Sequence, residues 1–220
     1  MSLRFVPLMV VLSFVTARGD APRPIFPGQF IPGNYPYYIR AMEFADLDGD
    51  GDVDLATVGS YLAGIFLNNG LGLFTGPSPI ELNNYSGALG TGDFNADGHV
   101  DLIFVQERPY RLVPYLNDGH ASFAPITGVE LGGWSRKLAV ADINADGNSD
   151  VAAFLATDPL IKIFLGDGAG GFDVGPAFSV SAETTDIVFA DLDGDALPEL
   201  IVTNTETDSV AVYHNLGNAS

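Results

Sequence analysis

The sequence contains no cysteine, and only nine of its 220 residues are lysine or arginine. The first absence excludes a disulfide framework and lipid attachment at a signal-peptide cysteine. The small number of basic residues leaves a formal net charge of -19. This charge argues against nucleic acid as a partner, because phosphate backbones attract basic surfaces.

Apolar runs long enough to span a bilayer are also missing, so we expect no membrane span. The N-terminus instead carries Arg4, the apolar run Phe5–Val15 and then small residues, which is the pattern of a secretory signal. We predict a signal peptide over residues 1–19 and one domain over residues 20–220. The mature chain is expected to be secreted, extracellular or periplasmic.

A nine-residue phrase occurs four times, with starts 47 to 49 residues apart. Its copies are DLDGDGDVD (46–54), DFNADGHVD (93–101), DINADGNSD (142–150) and DLDGDALPE (191–199). Oxygen-bearing side chains fall at positions 1, 3, 5 and 9 of each copy. One such phrase could be an ordinary turn, but a turn does not need oxygen donors at the same alternating offsets four times.

This spacing suits calcium, a hard cation that takes six to eight oxygen ligands on a tightly curled backbone. The predicted side-chain ligands are Asp46, Asp48, Asp50, Asp54, Asp93, Asn95, Asp97, Asp101, Asp142, Asn144, Asp146, Asp150, Asp191, Asp193, Asp195 and Glu199. Position 7 would contribute backbone carbonyls: Asp52, His99, Asn148 and Leu197. Three to four ions are expected, because the fourth loop has Ala196 where the others have a turning glycine.

The loops differ from EF-hands, which need a glutamate at position 12 and flanking helices. Here the flanking segments are short, rich in Val, Ile, Leu, Phe and Ala, and bounded by turn residues, which predicts strands. Each repeat offers four such runs; those of the second unit are Phe74 to Leu82, Ala88 to Thr91, Asp101 to Val105 and Leu112 to Leu116. Four short strands about every 49 residues are typical of a β-propeller blade.

The aspartate loops and the Asn-Asn-Gly-x-Gly type of turn resemble the FG-GAP or VCBS repeats of integrin alpha-subunit propellers, over about residues 28 to 215. The resemblance implies an all-β fold, a β-propeller of four four-stranded blades with calcium loops between the inner strands. It also places Ala45, Gly92, Ala141 and Ala190 near the axis. Propellers of this family usually have seven blades, so a closed, an open or partial, and a dimeric arrangement all stay possible. We predict a closed form with a terminal clasp, in which a strand at residues 25–31 pairs with residues 210–214 and completes sixteen strands in four blades; an open arc and a dimer are the alternatives.

Loops on the face opposite the calcium loops carry most of the tyrosines, the single tryptophan and most of the basic residues left after signal removal. We predict a ligand face centred on Trp134 and Tyr85; its members are Tyr37, Tyr61, Tyr85, Tyr110, Trp134, Arg108 and Arg136. Aromatic rings beside arginine can stack on sugars or anchor a protein partner. Ordinary loop packing is the alternative for any single residue.

The sequence therefore favours a secreted, calcium-binding β-propeller that binds a protein or surface partner without catalysis. A lectin that uses the aromatic face is the alternative. A calcium-dependent hydrolase is the third hypothesis, and it lacks an unrepeated acid, base or nucleophile cluster. His99, His120 and His214 are scattered over different repeat positions. A monomer and a dimer both remain open.

Overall fold

The computed structural model describes residues 39–217, which form β-strands joined by turns and loops without a helix. The strands are β1 (Ile39–Ala45), β2 (Asp54–Gly59), β3 (Leu62–Asn68), β4 (Phe74–Glu81), β5 (Ser86–Gly92), β6 (Asp101–Gln106), β7 (Arg111–Asn117), β8 (Phe123–Pro125), β9 (Val129–Glu130), β10 (Ser135–Ala141), β11 (Asp150–Leu155), β12 (Leu160–Gly166), β13 (Phe172–Ser179), β14 (Thr184–Ala190), β15 (Glu199–Asn204) and β16 (Ser209–Tyr213). No helix in this part of the chain could therefore cross a membrane.

Four antiparallel sheets make up the four blades of a β-propeller, as the sequence predicts. The first and third blades have the strand orders β1-β2-β3-β4 and β10-β11-β12-β13. The second is β5-β6-β7-β8, and the short strand β9 also pairs with β7, so its outer strand is in two pieces. In the residues described, the fourth blade has three strands, β14-β15-β16.

The first strand of a sequence repeat unit is, in the structure, the outermost strand of the blade before it. Phe74 opens β4, which pairs with β3 of the first blade. The sequence unit and the structural blade are therefore offset by one strand. The predicted clasp strand, residues 25–31, lies outside the described residues, and so do the predicted signal peptide and Tyr37.

Hydrophobic cores lie between neighbouring blades. One core joins blades 1 and 2, a second joins blades 2 and 3, and a third joins blades 3 and 4. The strands β6 and β11 are buried along their whole length, because both faces pack against a neighbouring blade. That environment explains their near-continuous apolar sequences, whereas the outer strands β4 and β13 keep exposed positions.

The inner strands β1, β5, β10 and β14 surround a central space and approach one another closely. A Cβ at Gly90 would lie 2.8 Å from a methyl of Val140, and one at Gly92 would lie 2.9 Å from the Ser149 hydroxyl. Small residues on β5 thus let β10 approach, in line with the crowding expected at Gly92. The end blades are less covered: Met42 and Phe44 of β1 and Val188 of β14 are more than half exposed.

Candidate functional site

The four acidic loops connect the first and second strands of every blade, and all four have the same backbone path. Two residues per loop, at positions 4 and 6, adopt a left-handed conformation with positive φ: Gly49 and Gly51, Ala96 and Gly98, Ala145 and Gly147, Gly194 and Ala196. The sequence pattern revealed the glycine at position 6 but not the turn at position 4, because alanine occupies it twice. These two turns curl each loop so that its side chains converge.

Carboxylates at positions 1 and 5 accept hydrogen bonds from the loop's own backbone. The position-6 N–H donates to the position-1 carboxylate, as from Gly51 to Asp46 at 2.9 Å, with counterparts at 2.9, 2.9 and 3.2 Å in the other loops. The position-7 N–H donates to the position-5 carboxylate at 2.8 to 2.9 Å in all four. The acidic residues therefore support the shape of the loop through bonds to its own backbone.

Positions 1, 3 and 5 come together as predicted. In the first and fourth loops, carboxylate oxygens of Asp46, Asp48 and Asp50, and of Asp191, Asp193 and Asp195, lie within 4.8 Å of one another. In the middle loops, Asn95 donates to Asp97 at 2.8 Å and Asn144 donates to Asp146 at 2.9 Å. Both amides thus turn toward the position-5 carboxylate, and every site keeps a cluster of oxygens on an exposed rim.

The surroundings of three aspartates in these clusters shift their pKa values. Burial, followed by the negative charges of Asp54, Asp50 and Asp46, raises the pKa of Asp48 against the opposing backbone N–H of Asp50. The backbone N–H of His99 lowers the pKa of Asp97, and that of Asn148 lowers the pKa of Asp146. Repulsion therefore accumulates around Asp48 in the first loop, where a divalent cation would relieve it.

The position-9 carboxylate has a buried, bracing role that the spacing did not reveal. Asp54, Asp101 and Asp150 are fully buried. Each accepts an N–H from position 2 at 2.8 to 2.9 Å and another from the third strand of its blade at 2.7 Å. Burial raises the pKa of Asp101 and Asp150, against those backbone donors. These aspartates tie the loop to the sheet, whether or not they also contact an ion.

In the fourth blade this brace is different. Glu199 accepts the N–H of Leu192 at 2.9 Å, while its other oxygen faces Nδ1 of His214 at 3.8 Å. His214, Glu199 and Asp193 can bring one ligand atom each within 4.8 Å of one another. Sequence reasoning missed His214, since it lies fifteen residues beyond the phrase and has no counterpart in the other repeats.

The turns that follow the third strands of blades 2, 3 and 4 lie on the same face as the acidic loops. The carbonyl of Leu47, in the first loop, accepts N–H groups from Ala121 at 3.0 Å and from the Asn117 amide at 2.9 Å, both in the second blade. Phe94 accepts from Gly170, and Ile143 accepts from the Asn215 amide. Loops and turns therefore share one face, as expected, and each of the first three loops is bonded to the next blade.

Side chains at position 7 pack on a turn glycine of their own blade. A Cβ at Gly70, Gly119 or Gly168 would come within about 2.6 Å of Asp52, His99 or Asn148, respectively. These side chains are therefore committed to packing, which leaves the backbone carbonyl as the donor they can offer. Carboxylate, amide and backbone carbonyl oxygens are the kinds of donor that calcium prefers.

On the opposite face, arginines rest on the predicted aromatic residues. The Arg136 guanidinium lies 4.1 Å from the Trp134 ring centroid, and that of Arg40 lies 4.9 Å from Tyr85. Tyr85 also meets Tyr61 edge-on, with centroids 5.9 Å apart. Arg40 is the member that the predicted ligand set omitted, since nothing in the sequence pairs it with a ring 45 residues away.

The other predicted residues of this face are placed separately. Arg108 and Tyr110 lie in the turn between β6 and β7. Arg108 is exposed, whereas Tyr110 is partly buried against the core between blades 2 and 3. Tyr110 therefore has the ordinary packing role considered for any single aromatic residue.

A β-bulge positions the two arginines. Pairing of β1 with β2 skips Arg40, and pairing of β10 with β11 skips Arg136. The same shift occurs at Thr185 of β14 and near Gly87 of β5. Bulges re-aim a side chain and end regular pairing, so the start of each inner strand presents an irregular residue at the same level. Strand spacing in the sequence does not show such bulges.

A family model for the FG-GAP-like repeat matches residues 46–104 and 93–153, which identifies these residues as FG-GAP-like repeats. No curated protein matches the sequence.

Several solved structures resemble the chain in fold. A lectin of Agrocybe aegerita, described as recognising non-reducing terminal N-acetylglucosamine, has 22% identity and a TM-score of 0.56 over 80% of this chain and 49% of its own. BBS1N in complex with ARL6DN has 14% identity and a TM-score of 0.54, over 84% and 58%. The Photorhabdus luminescens Tc holotoxin pore has 18% identity and a TM-score of 0.51, over 77% and 8%. The chain thus spans little more than half, or less, of each.

Proposed function

We propose that this chain, in which residues 46–153 are FG-GAP-like repeats, is a secreted, calcium-binding β-propeller that acts as a non-enzymatic binding module. The observation that carries the proposal is the fourfold loop geometry. Each loop has two left-handed turns, self-bonded carboxylates and oxygen donors at positions 1, 3 and 5. Calcium, present at high concentration outside cells, would neutralise a face that otherwise concentrates negative charge.

Calcium in this proposal has a structural role. Each of the first three loops is bonded to its own third strand through the position-9 carboxylate, and to the next blade through the position-2 carbonyl. An ion that fixes the loop would therefore stabilise both the blade and the blade interface. Such coupling makes calcium a substitute for the disulfides that this chain cannot form.

Heat denaturation with and without calcium tests this role. At a free calcium concentration ten times the dissociation constant, each filled site adds about 1.4 kcal/mol to the free energy of unfolding. We expect the unfolding midpoint of the mature chain to rise by several degrees in calcium and to fall again in chelator. Magnesium at the same concentration should give a smaller rise, because it resists dehydration and demands octahedral geometry. A midpoint that calcium leaves unchanged would remove calcium from the proposal.

The binding partner in this proposal contacts the face opposite the calcium loops. Support comes from the charge distribution: the calcium-loop face holds most of the acidic residues, while arginine–aromatic pairs occupy the other face. Partners of this kind include proteins and glycans. A glycan array and a pull-down with extracellular proteins separate them, and a chain that captured nothing in either assay would argue against a binding module.

A lectin is the second candidate within the binding class. Arginine-stacked rings at Trp134 and Tyr85 favour it, since both rings offer an apolar surface to a sugar and the Tyr85 hydroxyl adds a hydrogen-bonding group. Fold resemblance to the Agrocybe aegerita lectin is compatible with this candidate. Binding to specific glycans on the array, lost after Trp134→Ala and Tyr85→Ala, is the expected result for a lectin.

A further inference from the structure

The mouth of the central space, on the face opposite the calcium loops, has an unusual charge for this protein. A cavity of about 800 Å³ opens there, lined by residues from all four inner strands. Residues 39–217 contain six basic side chains, and three of them, Arg40, Arg136 and Lys137, line this cavity. Because the chain has a net charge of -19, the grouping of three basic side chains in one cavity indicates a functional site.

Two of the three cations are available to a ligand. Lys137 is paired with Asp186 of the next blade at 2.9 Å. Arg40 and Arg136, by contrast, have no carboxylate partner among residues 39–217 and are exposed. Their guanidinium groups instead lie over Tyr85 and Trp134. A stacked guanidinium keeps its in-plane N–H donors free, and the ring limits its motion, so less entropy is lost when an anion binds.

The backbone positions of Arg40 and Arg136 also support a role in binding a ligand. Arg40 and Arg136 are the bulge residues at equivalent positions of β1 and β10, and they belong to non-adjacent blades. The structure therefore places two arginines at equivalent positions of non-adjacent blades in the lining of one cavity. Apolar wall residues Met42, Leu89 and Leu138 lie beside them.

We propose that this cavity binds an acidic saccharide, a sugar chain that bears uronate carboxylates, with Arg40 and Arg136 on the carboxylates and the apolar wall against the sugar ring. Carboxylates match the fork of N–H donors on arginine. The volume is in the range of small-ligand sites, whereas protein partners usually need a broad and flatter interface. The inference rests on the proposed binding function and specifies its ligand and location.

A carboxyl group in the cavity also limits where an anion can bind. Glu43 lies in the same cavity as the arginines, and its burial raises the pKa of its carboxyl. Its charge would oppose an anion that enters too deeply. The arginine rim, rather than the floor, is therefore the part that receives the carboxylate.

The test uses calorimetric titration of the calcium-loaded chain with tetrasaccharides that contain glucuronate, galacturonate or mannuronate. Each is compared with its own methyl ester, which keeps the sugar and removes the charge. We expect at least one uronate to bind about tenfold or more tightly than its ester, because charge-assisted hydrogen bonds are the stronger kind. Binding should also change the fluorescence of Trp134, the only tryptophan in the chain.

The variants Arg40→Gln and Arg136→Gln should each weaken uronate binding about tenfold and leave ester binding unchanged. Lys162→Gln is the matched control: it also removes one positive charge, but Lys162 does not line the cavity. It should leave the affinity unchanged. Glu43→Gln should tighten uronate binding a few-fold, an effect that a purely structural role would not give. Unfolding midpoints confirm that every variant is folded.

Several results would overturn the inference. Absence of uronate binding, equal affinity for uronate and ester, or unchanged affinity in both arginine variants would each do so. Tighter, arginine-dependent binding of polyglutamate would assign the cavity to acidic protein segments instead. If a different ligand binds while all uronates fail, the proposed binding module survives and this inference does not. Failure of every ligand on the glycan array and in the pull-down would count against the proposed function itself.

Discussion

The third and fourth blades have acidic loops with the same two left-handed residues but differ in what surrounds them. The third blade has four strands, a buried central strand and a position-9 aspartate that accepts two backbone N–H groups. The fourth has three strands in the residues described, exposed Val188 and Val210, and a glutamate that accepts one backbone N–H. Yet both loops contain the same two left-handed turns. The loop's shape is therefore local, while its attachment to the sheet depends on the blade.

The largest difference in stability between the two blades is expected when the position-9 carboxylate, which attaches the loop to the sheet, is replaced. Asp150→Asn leaves one of two backbone donors facing an amide NH₂, whereas Glu199→Gln can keep its oxygen on Leu192 and turn its NH₂ elsewhere. We expect a loss of about 3 kcal/mol in the free energy of unfolding for Asp150→Asn and about 1 kcal/mol or less for Glu199→Gln. Urea unfolding in chelator measures both without a contribution from calcium.

Asp158→Asn provides the control for these variants, since Asp158 is exposed in the turn between β11 and β12. It should change the free energy of unfolding by less than about 0.5 kcal/mol. Equal losses for Asp150→Asn and Glu199→Gln would show that the second backbone donor adds nothing, and that the two blades are braced alike.

A smaller effect is expected from exchanging the residue at position 6. Gly147 has φ of 89°, and a Cβ there would meet no atom within 4 Å, so Gly147→Ala tests backbone strain alone. We expect it to lower the free energy of unfolding by about 1 kcal/mol. Ala196, with φ of 72°, is the natural counterpart in the fourth loop. Ala196→Gly should be neutral or raise stability by about 0.5 kcal/mol, since relief of strain is partly offset by the freedom of glycine in the unfolded chain.

Calorimetric or urea unfolding of these two variants in chelator is the measurement. If Ala196→Gly destabilised the protein as much as Gly147→Ala does, the left-handed conformation at position 6 would not be the common constraint on the two loops. A loss confined to Gly147→Ala sharpens the comparison, because it would mean that the fourth loop already contains the strain that the third loop avoids.

Much of the fold could be read from the sequence because its signals are local and repeated. Spaced oxygen donors, turn glycines and short apolar runs give the blades, the loop positions and the face shared by loops and turns. The resemblance to FG-GAP repeats added the radial order of the strands. The strand boundaries within the second repeat unit, such as Asp101–Gln106 against the expected Asp101 to Val105, agree closely.

What the sequence did not reveal depends on contacts between distant segments. The bracing role of Asp150 needs an N–H from Gly166, and the Arg40–Tyr85 pair joins two blades. Bulges at Arg40 and Arg136 depend on pairing registers that no local pattern encodes. The fourth loop has Ala196 in place of the turning glycine, and Ala196 adopts the left-handed conformation that glycine has elsewhere; its three aspartates also lie within 4.8 Å of one another.

Calcium stoichiometry, measured by titration calorimetry on the mature chain, tests the central claim most directly. Three or four ions per chain are expected, and Asp48→Asn together with Asp50→Asn should remove one of them, while the exposed control Asp158→Asn removes none. No calcium binding, or a stoichiometry that the loop variant leaves unchanged, would contradict the account and reduce the four acidic phrases to turns.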